Sequence, residues 1–441
     1  MNFENSNVLV IGMKRSGQGA AELLLKHGAR VRFMDESEPG PQESEFLQKH
    51  GLTVVKQSIE NLGDEQVVVV SPGVPIDLPL LNEVRMRGVP VIGEVELSSY
   101  FLKGPVIGIT GSNGKTTTTA LVGHILRESG VDCQVGGNIG KAATGMVETS
   151  DEKRWNVLEV SSFQLEAISH FRAQIAACLN VTPDHLDRHH TLERYVNAKA
   201  RLFETQMNRD CAVLNYDDEI CRQFAARTKA EIFWFSVRQK VPAGVCLTDD
   251  ELTWNGKAFM SRKQIRLRGL HNVENVAAAT LMAGLAGVAL EFLGEAVRSF
   301  PGVEHRIEFV RSFDGVEYYN DSKATNVDAA LKAIDAFSGG LWIILGGKDK
   351  NSDYRPLCEP LRAKAQGALL IGQAANKIGG VLEGCVPLVP CGTLADAVSY
   401  AREHAEAGDV VLLAPACASF DQFENFEHRG KTFKQLVAQL F

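Results

Sequence analysis

The sequence predicts an α/β protein of three domains, and three observations carry that prediction. Through the first hundred residues, β-branched strand-like runs alternate with polar, helix-capable segments, which is the βαβ rhythm of a parallel sheet. The rhythm restarts at "GPVIGITG" and again at "WIILGGKD". With 441 residues, 45% of them hydrophobic, the chain is too long for one compact core, so each restart is read as a new domain. The expected boundaries are 1–98, 99–302 and 303–441.

The first domain is read from "NVLVIG", "RVRFMD", "QVVVVSPG" and "VPVIGE" as buried strands. Its opening loop, "GMKRSGQG", invites a dinucleotide reading, because Asp35 ends the next strand where a ribose partner would stand. The central glycine of that fingerprint is Lys14, however, and a nicotinamide cofactor needs its backbone to approach a pyrophosphate closely there. A nucleotide-sugar phosphate fits Lys14, Arg15 and Ser16 better. "SPG", Ser71 to Gly73, is either a ligand loop or a plain turn after a strand.

In the second domain the strand Val106 to Thr110 runs into "GSNGKTT" and then into an apolar pattern at helical spacing. Gly111 and Gly114 let backbone N–H groups surround phosphate oxygens at a helix start, with Ser112, Asn113 and Thr117 completing the loop. Lys115 would reach terminal phosphates and the Thr116 hydroxyl a magnesium ion. The usual first glycine of such loops falls on Ile109. Glu159 ends the strand "WNVLEV", where the residues alone read it as an ordinary carboxylate at a strand end.

Lys199 is the oddity of this domain. In "TLERYVNAKARLFE" it falls within the apolar stripe of Leu192, Tyr195, Val196, Leu202 and Phe203, so pattern alone reads it as a snorkelling lysine. "TPDHLDRHH" offers His185, with His189 and His190 read as loop histidines, and Asn272 and Asn275 are spaced to share one helix face. The domain ends near "FPGVEHRIE". Beyond it, "WIILGGKD", "GALLIG" and "DVVLLAPACAS" read as parallel strands ending in loops of functional type, at the edge where such sheets place ligands.

A net charge of −8 without a basic tract argues against nucleic acid, and no stretch is apolar and long enough to span a bilayer, so a cytoplasmic protein without a membrane partner is expected. The nine cysteines form no CxxC pair or metal-like Cys/His cluster and are read as reduced, mostly buried thiols.

"GITGSNGKTTT", "GGNIG", "LEVSSFQLE", "NVTPDHLDRH", "HNVENVAAA", "HRIE", "NDSKATN" and "APACASFDQFENFEHRG" occur in the order and approximate spacing of the Mur ligases, which the chain resembles over essentially its whole length. "SSFQLE" and the carboxy-terminal block resemble the branch that adds D-glutamate to UDP-N-acetylmuramoyl-L-alanine. The resemblance implies a Rossmann-like amino-terminal domain, a central P-loop ATPase-type parallel sheet and a Rossmann-like carboxy-terminal domain. It also implies ATP-dependent amide ligation through an acyl phosphate, with two Mg2+ ions, in peptidoglycan precursor synthesis. The chemistry has its own logic: a carboxylate is a poor electrophile until one oxygen becomes a leaving group.

By this resemblance Lys115, Glu159, His185 and Lys199 are catalytic, and Thr116, Glu159, His185 and Lys199 face metal, Lys199 as a carbamate. Asn272, Asn275, Arg306 and Asp321 join the phosphate loop around ATP. Ser16, Asp35, Ser71, Gly73, Asn138, Ser161 and Gln164 hold the UDP-sugar. Thr325, Lys350, Ser419 and Phe426 hold D-glutamate, with Lys348 as the alternative to Lys350. A monomer that closes about a hinge near residues 301–304 is expected. The rivals are a sister ligase for meso-diaminopimelate, L-lysine or folyl-glutamate, and, from another class, a nucleotide-binding regulator or a dehydrogenase built on the first domain.

Overall fold

The β-branched runs form three sheets in a computed structural model that describes residues 1–440. The first sheet is wholly parallel, in the order Val54–Lys56, Arg30–Asp35, Asn7–Ile11, Val67–Val70, Val91–Gly93. Its central strands are continuous apolar runs because both faces are covered. Val8 and Val10 pack with Leu23 and Leu24 of the helix Arg15–Lys26 on one side, whereas Leu9 and Ile11 pack with Leu80, Leu81 and Val84 of the helix Pro79–Met86 on the other.

The second sheet has nine strands. Its parallel part runs Gly244–Thr248, Glu231–Ser236, Cys211–Asn215, Ile175–Cys178, Val106–Thr110, Trp155–Glu159, Cys133–Gly137. Two further strands, Glu251–Trp254 and Lys257–Ser261, add antiparallel to its outer edge. Both turns of that meander use residues that tolerate positive φ, Asp249 and Asp250 at 50° and 64° and Asn255 and Gly256 at 48° and 83°, the Asn-Gly pair being a strong hairpin signal.

The third sheet runs Glu308–Phe313, Val316–Asn320, Val410–Leu413, Leu341–Gly346, Ala365–Ile371, Leu388–Gly392, parallel except for its first strand. That edge is again a hairpin on a two-residue turn, Asp314 and Gly315. Separate apolar clusters cover the two faces of this sheet, one around Ile343, Leu345 and Leu412 and one around Ile344, Leu369 and Val411.

The chain divides into two compact units, residues 1–264 with 274–299, and residues 265–273 with 300–441. The first contains the first two sheets, and the second contains the third. Seven cysteines are free thiols, but Cys358 and Cys385 are joined by a disulfide, which departs from the uniformly reduced reading. The chain folds their Cα atoms to 5.3 Å across 27 residues, a proximity that spacing in sequence does not encode. Among the described residues no helix is long and apolar enough to cross a membrane.

Candidate functional site

Strand register assembles the phosphate loop and its partners. Ile109 and Gly137 both lie opposite Glu159, and Thr110 lies opposite Cys178, so neighbouring strands end at one level and their loops share the carboxyl edge of the sheet. Gly111 stands at φ 152° and Gly114 at φ 83°, capping the helix Lys115–Glu128. A Cβ on Gly114 would lie 2.3 Å from Oδ1 of the buried Asn275, so the loop needs glycine there for space as well as for backbone. Asn275 Oδ1 also accepts from the Thr118 hydroxyl at 3.2 Å.

Around this loop the side chains are tied together. Lys115 Nζ donates to the carbonyls of Gly111 (2.8 Å) and Ser112 (3.0 Å). Asn180 Oδ1 accepts from the Asn113 amide at 2.8 Å, and the Ser112 hydroxyl donates to the Thr182 carbonyl at 2.9 Å. The buried Glu159 receives the Thr116 hydroxyl on Oε2 (2.9 Å) and Asn138 Nδ2 on Oε1 (2.8 Å). One carboxylate thus joins the phosphate loop to the "GGNIG" loop. A hydroxyl beside an anionic oxygen is the donor set a hard cation such as Mg2+ takes, so Thr116 and Glu159 fit that ion, and the glycine cradle fits the phosphates that accompany it.

Lys199 lies on the helix Leu192–Glu204 and is 1% exposed, so it does not snorkel. Its Nζ donates to the Gly111 carbonyl at 2.8 Å and stands 4.4 Å from the centre of the Tyr195 ring. Burial, with the positive Lys115 nearby, pulls its ammonium down from 10.5 to about 7. A large fraction of Lys199 is therefore neutral amine near neutral pH, the form that attacks electrophiles such as carbon dioxide. The Tyr195 hydroxyl hydrogen-bonds Ser112 Oγ at 3.0 Å, and burial raises its titration.

His185 takes a left-handed conformation (φ 53°) at the start of the short helix Leu186–His189. Its half-exposed ring lies edge-on to Phe163 at 4.9 Å. His189 departs from the loop-histidine reading: it is buried, with Nε2 2.9 Å from Ser162 Oγ and Nδ1 3.3 Å from Glu166 Oε1, stacked on Phe163. His190 stays exposed, 3.5 Å from Asp77.

The carboxyl edge of the first sheet opens into a cleft of about 580 Å³. Ser16, Asp35, Ser71, Gly73, Asn138 and Gln164 all line it. Ser161 meets it through Gln164, with which it forms a capping box at the helix Ser162–Leu165. Register again explains the gathering: Ile11 pairs with Met34 and with Val70, so Gly12, Asp35 and Ser71 emerge side by side. Asp35 accepts from the Met13 amide (2.8 Å) and the Ser37 amide (2.9 Å), and the Ser71 hydroxyl donates to the Gly12 carbonyl (3.0 Å). Lys14 lines this cleft too, where the dinucleotide fingerprint requires glycine.

In the second unit, Asn272 donates to the Arg268 carbonyl at 2.7 Å. Asp321 is buried and burial raises it to about 7 against the pull of the Arg306 charge. Thr325, Lys350 and Ser419 stand on loops at the carboxyl edge of the third sheet, and Phe426 starts the helix Phe426–Ala438. Lys323 Nζ lies 3.7 Å from the centre of the Phe426 ring. Lys348 pairs through its backbone with Ala418, next to Ser419, while Lys350 is exposed. Glu304, His305 and Glu308 bring ligand-type atoms within 4.8 Å of one another, but Lys434 already pairs with both carboxylates.

Sequence reasoning passed over several residues that these networks depend on. Arg429, 1% exposed, donates to Ser322 Oγ and to the carbonyls of Ser322, Cys417 and Ala418, and so ties the "NDSKATN" loop to the "APACAS" loop. Asn180 and Tyr195 brace the phosphate loop, and Arg188 reaches into "SPG". Tyr195 stood in an apolar stripe and Asn180 at a strand end. A polar atom in an apolar pattern was the only trace they left.

Family models match this arrangement domain by domain. A MurD-like Mur ligase amino-terminal domain matches residues 6–93, a Mur ligase middle domain 109–283, and a Mur ligase glutamate ligase domain 305–417. The chain is 56% identical to a UDP-N-acetylmuramoylalanine--D-glutamate ligase of Solibacter usitatus, over 99% of this chain and 98% of that one. It is 48% identical to the protein of the same name from Acidobacterium capsulatum, over 99% and 97%. Among solved structures it is similar in fold to a pseudomurein peptide ligase type C from Methanothermus fervidus (TM-score 0.63, 17% identity, 99% and 100% covered). UDP-N-acetylmuramate-alanine ligase MurC from Thermotoga maritima is a further likeness (TM-score 0.61, 19% identity, 98% and 99% covered). Three Mur ligase domains in order, on the carboxyl-edge loops just described and with relatives matched nearly end to end, mean that the chain belongs to the Mur ligase family.

Proposed function

We propose that this chain is an ATP-dependent ligase that joins D-glutamate to UDP-N-acetylmuramoyl-L-alanine in peptidoglycan precursor synthesis. The observation that carries the reading is the Glu159 carboxylate, held at once by Thr116 of the phosphate loop and by Asn138 of the nucleotide-sugar cleft. A phosphoryl donor and an acceptor bound in those two places meet across one anionic group. The acceptor carboxylate attacks the γ-phosphorus with loss of ADP, and the amine then displaces phosphate from the acyl carbon as the nitrogen sheds a proton.

The chain's residues divide this work. Amides of Gly111–Thr117 and the Lys115 ammonium surround the phosphates, where charge neutralisation and alignment account for most of the catalysis. Thr116, Glu159, His185 and a carbamylated Lys199 hold two Mg2+ ions, which supply positive charge to the transferring phosphoryl group. Ser16, Asp35, Ser71, Gly73, Asn138, Ser161 and Gln164 hold the UDP-sugar. Asn272, Asn275, Arg306 and Asp321 serve ATP, and Thr325, Lys350, Ser419 and Phe426 the two D-glutamate carboxylates. Domains 1–98, 99–302 and 303–441, a monomeric state and a cytoplasmic location complete the proposal.

The test offers ATP, Mg2+ and UDP-N-acetylmuramoyl-L-alanine with D-glutamate, L-glutamate, L-lysine or meso-diaminopimelate, and follows phosphate release and product mass. D-Glutamate alone should be joined. Use of another amino acid would refute the assignment of the third domain's residues, and no release with any would refute the reading altogether.

A further inference from the structure

Arg188 sits one turn into the helix that His185 begins, its backbone amide bonded to the His185 carbonyl at 3.1 Å. Its guanidinium leaves that helix and donates to the carbonyl of Gly73 at 3.2 Å and, through the other terminal nitrogen, to that of Val74 at 2.6 Å. Glu166 Oε2 accepts from it at 3.3 Å, and its Cζ lies 5.0 Å from the centre of the Phe163 ring. The other oxygen of Glu166 meets His189, which also contacts Ser162. Phe163 is therefore enclosed by Arg188, His189 and His185. The Arg188 side chain thus joins the Ser71–Val74 turn to the Phe163–Glu166 segment.

We propose that Arg188 is a positioning residue for the ligase reaction, fastening the loop that carries His185 to the Ser71–Val74 turn of the nucleotide-sugar cleft. The proposal rests on the ligase reading above. Gly73 and Val74 line the cleft, so a bound nucleotide sugar presses on the turn that Arg188 holds. The His185 ring, half exposed, packs on Phe163, over which the Arg188 guanidinium also lies. Acceptor binding and the placement of His185 are thereby coupled through one guanidinium. Arginine is needed because two carbonyls on successive residues call for two N–H groups in a fixed fork with a flat face for the ring; a lysine ammonium offers a single point charge.

Steady-state kinetics separates this role from general support. In Arg188→Gln the KM for the UDP-muramoyl acceptor should rise about tenfold, equivalent to about 1.4 kcal/mol, while the KM for ATP stays within about twofold. Arg188→Lys should recover less than half of the loss. Calorimetric titration of the acceptor without ATP should give the same tenfold change in Kd. Glu166→Gln, which leaves both carbonyl bonds in place, should raise the acceptor KM by about threefold, and it carries the test if Arg188→Gln does not fold. An unchanged acceptor KM in a folded Arg188→Gln, full recovery by lysine, or equal rises for ATP and acceptor would each overturn the proposal. Wild-type protein that forms no amide overturns the ligase reading instead, and the calorimetric comparison then still decides the role of Arg188.

Discussion

Replacing Lys199 by methionine should stabilise the metal-free protein, and more so in acid than in base. The native ammonium titrates near 7 rather than at its ordinary 10.5, because burial and Lys115 disfavour its charge. That gap of about three and a half pH units, at about 1.4 kcal/mol each, makes protonated Lys199 a destabilising charge of about 5 kcal/mol. Below pH 7 both native and unfolded chains hold the proton and the whole penalty applies. Between pH 7 and 10.5 the unfolded chain alone holds it, so wild-type stability rises with pH as the penalty fades to about 2 kcal/mol at pH 9. Methionine removes this term and also the Lys199 bond to the Gly111 carbonyl, which keeps its bond from Lys115, so that loss costs about 0.5–1.5 kcal/mol at every pH.

The variant should therefore exceed wild type by about 3.5–4.5 kcal/mol at pH 6 and by only about 0.5–1.5 kcal/mol at pH 9, a swing of about 3 kcal/mol. The assay is urea unfolding in chelator and carbon-dioxide-depleted buffer, followed by tryptophan fluorescence. Three of the four tryptophans, Trp155, Trp234 and Trp254, stand on strands of the second sheet and report on the element that surrounds Lys199. A difference between variant and wild type that stays constant from pH 6 to pH 9 would refute the reasoning, since it would mean that Lys199 keeps an ordinary titration in the folded chain.

Gly114→Ala should lower stability by about 1–2 kcal/mol, since alanine at φ 83° is strained and its Cβ meets Asn275; thermal unfolding checks this, and ATP affinity should fall with it. Glu159→Gln keeps an acceptor for Thr116 but loses the negative charge, so ligation should drop by about a hundredfold or more with little change in melting temperature, read by phosphate release across a magnesium titration. Arg429→Leu strands the carbonyls of Ser322 and Cys417 in a buried place and should cost at least about 2 kcal/mol, measured by hydrogen exchange on the "NDSKATN" and "APACAS" loops.

The sheets and the phosphate loop are legible in the chain's local patterns, on which both depend. A β-branched run buried on both faces, a glycine where the backbone must turn over an anion and a lysine out of place in an apolar stripe are all written in consecutive residues. Hairpins on Asn255-Gly256 and Asp314-Gly315 were equally legible, though the βαβ rhythm drew attention away from them. What meets at the ends of the strands emerges from the folded chain alone. Register set Glu159 between Thr116 and Asn138, and packing buried His189 and Arg429, whose motifs gave no sign of it. Arg188 reads in sequence as one more charge in "DHLDRHH", yet it touches Gly73, Val74, Phe163 and Glu166. Polar contacts between distant segments have no period and no propensity, so nothing short of the folded chain reveals them.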